Sequence, residues 1–401
     1  MSDDPSSSDD GRSGAAARPA ATGFPTVGIL GGGQLGRMLG AAALRLGLRV
    51  RFYRDQPAGP TEGLGEGFVA ALDDAESLRR FVDGCSAVTL ENEWFDLRTL
   101  VEVLPSHVPL WPSIQTMRWV GDKITQKHHA VEHGLPVGPF RACASVDELR
   151  AAARELGQPL VVKRPRHSYD GYGNATAHDD AELLAAYERL GGGPGGDGRV
   201  LVEAWVPFVR ELAVMVARRP NGEDVAYPVA HTVQRDHRCA AVEVPARIEP
   251  AVAREATALA RRVAVAYGCV GVVGVEMFEL ADGRLLLNEL APRPHNTGHY
   301  TIEACTTSQF ENHLRAVLDW PLGSASMRRP AAVMVNVLGH RKGEASARSL
   351  PAALALGDVA VHVYGKRVVL PGRKMGHVTA LGESTEQARE RAERAAALLE
   401  L

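Results

Sequence analysis

Cysteine and aromatic residues are scarce in this 401-residue chain, which has five cysteines and only 5% Phe, Trp and Tyr. Cys85, Cys143, Cys239, Cys269 and Cys305 are odd in number and far apart, and they form neither C-x-x-C nor a zinc pattern with a neighbouring histidine. That excludes a disulfide framework and points to reduced thiols in a cytoplasmic protein. No run approaches the ~20 apolar residues of a membrane helix. The first 25 residues are small and polar, without a signal-peptide core, and are expected to be a disordered tail. The formal net charge is only −3 and the basic residues are scattered, so the concentrated positive field of a nucleic-acid surface is missing too. The expected partners are small molecules, with neither nucleic acid nor membrane among them.

A P-loop is also absent, since G-x-x-x-x-G-K-[ST] occurs nowhere. What the chain does have is GILGGGQLGRM, in which Gly31, Gly33 and Gly36 fit G-x-G-x-x-G after the apolar run TVGIL, with Asp55 downstream. Taken alone, this reads as the dinucleotide turn of an NAD enzyme. Short apolar runs alternate with helix patterns from Thr26 to about residue 118, predicting a Rossmann-like domain over 26–118. A second domain is expected over 119–320. It opens with the helix GDKITQKHHAVEHG, capped by Asp122 and ended by Gly134, and includes glycine-punctuated lid segments over about 136–210. A smaller α/β cap is expected over 321–401.

The chemistry concentrates in VGVEMFELADGRLLLNELAPRPHNTGH, residues 273–299. If Asp282-Gly283 is a two-residue hairpin turn, Ala281 pairs with Arg284 and Glu276 falls opposite Glu289. Facing carboxylates repel unless something positive lies between them, and an oxygen-only pair suits Mg²⁺ bridging to phosphates. The alternative is two solvated glutamates on an outer face, which the flanking apolar runs disfavour. Without a P-loop, lysines must hold the phosphates. Lys163 ends the strand PLVVK and Lys123 opens the helix after the first domain. The loop SYDGYGN brings Asp170, Gly171 and Gly173 for closure over phosphate oxygens. Glu203 stands at a strand end, before backbone able to bond an adenine edge.

Together these segments resemble the ATP-grasp superfamily. GGGQLGRM, GDKITQK, VVKRP with YDGYGN, NELAPRPHNTGHYT, SQFENHLRA and GKRVVLPGRKMGHVT look like the N5-carboxyaminoimidazole ribonucleotide synthetases, over roughly residues 26–382. The resemblance implies an α/β ATP-grasp fold with a Rossmann-like N-terminal domain that binds no dinucleotide and a small C-terminal α/β domain. It implies ATP and Mg²⁺ as cofactors, with Lys123, Lys163, Tyr169, Asp170, Gly171, Gly173, Glu203, Val206, Glu211, Gln234 and Asn288 on the nucleotide and Glu276 and Glu289 on the metal. Gln34, Glu91, Tyr169, Asp170, Lys366 and Arg373 match positions near aminoimidazole ribonucleotide, and Arg293, His295 and Asn296 match the reacting centre. Two positions depart from the family pattern: Tyr172 replaces a basic residue after YDG, and QRDHRC puts Gln234 and His237 where H-x-D-G-I-L is usual.

The reaction so implied is the ATP-dependent phosphorylation of bicarbonate to carboxyphosphate, which carboxylates the exocyclic amine of aminoimidazole ribonucleotide in purine biosynthesis. A homodimer is expected from the same resemblance. The rival readings are another ATP-grasp ligase, such as a formate-dependent glycinamide ribonucleotide transformylase, and an NAD-dependent oxidoreductase resting on the opening turn.

Overall fold

A computed structural model of the chain describes residues 23–93, 95–167, 173–192, 197–235 and 238–401. Tyr169, Asp170, Gly171, Tyr172, His237 and most of the expected N-terminal tail lie outside the described residues.

Thr26–Leu30 is an apolar strand at the centre of a parallel sheet. Its neighbours are Arg49–Arg54 on one side and Ala87–Leu90 on the other, with Glu66–Val69 and Leu110–Trp111 at the edges. The strand order reverses between Thr26–Leu30 and Ala87–Leu90, and the crevice beyond the carboxyl ends of such a pair is where doubly wound sheets bind ligands. The glycine turn leaves one of these strands and Glu91 leaves the other, joined by a bond from the Glu91 amide to the Leu30 carbonyl. Next comes the helix Lys123–Glu132. Asp122 caps it, its carboxylate accepting from the Ile124 and Thr125 amides.

A four-stranded antiparallel sheet follows, in the order Phe140–Cys143, Val200–Ala204, Leu160–Lys163, Asn174–Ala177. The largest sheet has nine antiparallel strands and is covered on both faces. Along Phe208–Arg218, Leu212, Val214 and Val216 pack beneath the helix Pro250–Ala266, while Ala213, Met215 and Ala217 join Tyr300 and Ala304 in the opposite layer. Burial on both faces explains why these strands read as continuous apolar runs.

The smaller α/β unit expected at the C-terminus shares the large sheet, although two short strands in it, Gly343–Glu344 and Val368–Val369, pair only with each other. Ala331–Leu338 pairs with Arg238–Val244, and Lys374–Gly382 and Val359–Val363 add beyond it, so they prolong the large sheet. The helix Thr385–Ala397 buries Ala388, Ala392 and Ala395 against them. The five cysteines are buried and none is in a disulfide. No helix among the described residues is long and apolar enough to cross a membrane.

Candidate active site

The hairpin that carries the acidic pair is closed by a longer turn than the sequence suggests. Leu280 and Arg284 flank three residues, with Gly283 at φ +80°, and Glu279 pairs with Leu285. A three-residue loop ending in a left-handed glycine shifts the register by one. Asn288 then forms a bulge that shifts it back, and Glu276 does face Glu289. The expected opposition is present, reached through two offsetting departures from the expected pairing.

Lys123, from the start of its helix, lies on the Glu289 carboxylate and supplies positive charge beside the pair. Burial, then the neighbouring Glu289 and Glu211 carboxylates, push the Glu276 carboxyl up to about 8. Burial pushes Glu289 the same way, but Lys123 and Lys163 override it and hold that carboxyl low. Two facing carboxylates offer oxygen ligands to one point, which fits a hard divalent cation.

Next to the pair, Glu203 bridges two ammonium groups, Lys163 and Lys127, with Lys127 at 2.7 Å. Burial would raise the Glu203 carboxyl, but these two lysines bring it down to about 2. Lys163 also donates to the side-chain Oδ1 of Asn288 at 3.3 Å, so the bulge aims the Asn288 side chain at the lysine cluster. Lys127 was not anticipated from the sequence, although it stands one helical turn after Lys123 in KITQK and so on the same face.

The loop after the hairpin is fixed from two sides. Arg293 makes a two-pronged ion pair with Glu93, at 2.6 and 3.1 Å. The fully buried Gln309 brackets His295, accepting from its amide at 3.0 Å and donating to its carbonyl at 2.8 Å. The His295 ring lies 2.8 Å from Thr297 Oγ1 and 3.7 Å from Glu276. Asn296 is buried with both amide atoms lacking a hydrogen-bond partner among the described residues. Such a group calls for a ligand, because an unmet buried amide costs ~1–3 kcal/mol.

A cavity of about 380 Å³ gathers these groups. It is lined by both metal candidates, all three candidate catalytic residues, and every described nucleotide candidate except Gly173. Five carboxylates and five basic side chains face it, including Glu93, Lys127 and Lys374, which the sequence reading did not single out. Glu211 accepts from Gln234 at 2.7 Å, giving the departing glutamine a defined partner.

The four described substrate candidates lie outside that lining. Glu91 accepts from the Gly33 and Gly36 amides at 2.5 and 2.6 Å, filling the turn that looked like a pyrophosphate cradle. A Cβ on Gly31 would stand 2.2 Å from Glu91 Cγ, and one on Gly33 would stand 2.7 Å from Oε1, so the glycines admit this side chain. Burial raises the Glu91 carboxyl, against the pull of those two amides and of Arg293 and Lys366. Lys366 donates to Gln34 at 2.5 Å and to the Lys374 carbonyl at 2.6 Å, joining the C-terminal segment to the glycine turn. Pro371 and Gly372 make a turn, with the Arg373 amide on the Leu370 carbonyl and Gly372 at φ +75°. Arg373 itself is exposed and donates to the Val368 carbonyl at 2.9 Å.

Residues 24–120 match the ribonucleotide synthetase preATP-grasp domain, 128–310 the ATP-grasp domain, and 332–391 the phosphoribosylaminoimidazole carboxylase C-terminal domain. The N5-carboxyaminoimidazole ribonucleotide synthase of Synechococcus elongatus is 39% identical over 93% of each chain. The chain belongs to the N5-carboxyaminoimidazole ribonucleotide synthase family. Phosphoribosylaminoimidazole carboxylase of Saccharomyces cerevisiae is 37% identical over 91% of this chain and 65% of its own length. A synthetase of this family solved as an ADP complex superposes with a TM-score of 0.85 at 35% identity, over 93% of this chain and 97% of that one. The Aspergillus clavatus enzyme, solved with ADP and 5-aminoimidazole ribonucleotide, gives 0.83 at 34%, over 94% and 98%. The fold is thus ATP-grasp with a pre-ATP-grasp N-terminal domain, and the family consists of ATP-using ligases of purine biosynthesis. In this family setting, the first glycine turn is a seat for Glu91.

Proposed function

We propose that the chain carboxylates the exocyclic amine of 5-aminoimidazole ribonucleotide, using ATP and bicarbonate. The observation that carries this reading is the facing pair Glu276 and Glu289, set beside three lysines and against the loop whose Asn296 amide has no partner among the described residues. Glu276 and Glu289 would hold Mg²⁺, which when bound neutralises charge on the phosphate oxygens. Lys123, Lys127 and Lys163 exchange their carboxylate partners for the nucleotide's phosphates. A bicarbonate oxygen bonds to the γ-phosphorus as the bond to ADP breaks. The carboxyphosphate then loses phosphate, and the amine nitrogen bonds to the carbon dioxide and gives up a proton. Arg293, held by Glu93, steadies the anionic intermediate, and His295 accepts the proton. Gln34, Lys366 and Arg373 bind the ribonucleotide, beside Glu91 in its glycine seat.

We also propose that the protein works in the cytoplasm as a homodimer, which sedimentation of the purified chain tests. The function is tested by following phosphate and carboxylated product with bicarbonate, with and without 5-aminoimidazole ribonucleotide. One product per phosphate supports it. Phosphate release that ignores both substrates overturns it.

A further inference from the structure

The helix that sends Lys123 and Lys127 into the cavity carries a second set of polar groups at its far end. His129, Glu132 and His133 follow at helical spacings of three and four, which places them on one face. One ligand atom from each lies within 4.8 Å of those of the other two. His129 is buried, with its ring stacked on Trp119 at 4.1 Å between centroids and set edge-on to Tyr267 at 4.6 Å. Its Nε2 is 2.9 Å from the Ala266 carbonyl. A carbonyl only accepts, so the proton sits on Nε2 and the lone pair of Nδ1 faces Glu132, 4.0 Å away. His133 places Nδ1 2.9 Å from the His129 carbonyl, which fixes its proton there and its lone pair on Nε2. The two rings stand 4.1 Å apart. Both imidazoles are therefore oriented by a carbonyl behind them, which is how proteins set histidines that bind metal.

We propose that His129, Glu132 and His133 form a binding site for one divalent transition-metal ion of the zinc class, separate from the catalytic cavity. Two imidazole nitrogens and one carboxylate suit zinc far better than magnesium, and water completes the coordination. None of the three residues lines the cavity. The competing account of the cluster is an ion pair between a doubly protonated His129 and Glu132.

The test is a calorimetric Zn²⁺ titration of the chelator-treated, tag-free full chain, alongside His133→Ala, Glu132→Ala and Glu276→Gln. Both helix-end substitutions fall on exposed residues. One equivalent is expected to bind to the unmodified chain and to Glu276→Gln. Because losing even an outer-shell partner costs about 10–100-fold in metal affinity, His133→Ala and Glu132→Ala are expected to weaken binding at least tenfold. Co²⁺ should give visible absorption bands that His133→Ala removes, while ATP-dependent turnover stays unchanged in that variant. Absence of Zn²⁺ binding in the unmodified chain, or equal affinity in His133→Ala, overturns the proposal in favour of the ion pair.

Discussion

Glu91 and Glu289 each bring a carboxylate to a place where a reader of sequences expects a phosphate, but the two regions hold their anions differently. At the first glycine turn the donors are backbone amides of Gly33 and Gly36, and the fit is so close that a methyl group on the glycines would collide with Glu91. In the cavity the donors are ammonium groups on long stems, with Lys123 on Glu289 and Lys127 and Lys163 on Glu203. A backbone cradle fixes its occupant, whereas side-chain cations can change partners. The glycine fingerprint therefore reports fold and domain architecture, and the lysine and carboxylate cluster reports the nucleotide site.

The comparison is broken most severely at the cavity. Glu276→Gln and Glu289→Gln are each expected to lower turnover by about a hundredfold or more, the scale of losing a preorganised electrostatic partner. The folded state should survive best in Glu276→Gln, because burial and its acidic neighbours already push that carboxyl toward the neutral form, whereas Glu289→Gln also takes the carboxylate from Lys123 and is expected to cost more stability. Steady-state kinetics across Mg²⁺ concentration, with circular dichroism, decides this. At the substrate side, Arg373→Ala removes one cation, and a charged hydrogen bond is worth about 1.5–3 kcal/mol. The KM for 5-aminoimidazole ribonucleotide is expected to rise by about one to two powers of ten, with ATP affinity unchanged. An unchanged KM would remove Arg373 from the substrate site.

Gln309→Leu sharpens the contrast between holding a loop and binding a ligand. It deletes both bonds to the His295 backbone, at roughly 1 kcal/mol each. A fall in kcat of about tenfold or more is expected while the KM for ATP holds. Gly33→Ala is the mildest change. Overpacking against Glu91 costs about 1–3 kcal/mol, and Glu91→Ala should return part of that stability in the double variant. A dinucleotide turn would show no such coupling to Glu91. Gly31→Ala should resist the same rescue, since Gly31 also sits at φ +116°.

The facing glutamates were legible because a period of two, read back from a glycine turn, puts Glu276 near Glu289. The intermediate steps were not, since neither the three-residue turn nor the bulge at Asn288 leaves a distinct mark in composition. The occupant of the glycine turn was hidden because Glu91 arrives from 58 residues away. Lys127 could have been found from its spacing to Lys123. Gln309 could not, as its role depends on burial and on a backbone partner 14 residues distant. The merging of the C-terminal strands into the large sheet was equally hidden, because the joining pair, Arg238–Val244 with Ala331–Leu338, is non-local.

The most direct measurement is a thermal-shift comparison of NAD with MgATP, on the unmodified chain and on Glu289→Gln. A ligand that binds only the folded state raises the midpoint by mass action. MgATP should raise it, ATP with a chelator should raise it less, and NAD should leave it unmoved because Glu91 fills the glycine turn. In Glu289→Gln the difference made by magnesium should disappear. Stabilisation by NAD with none from MgATP would contradict the account.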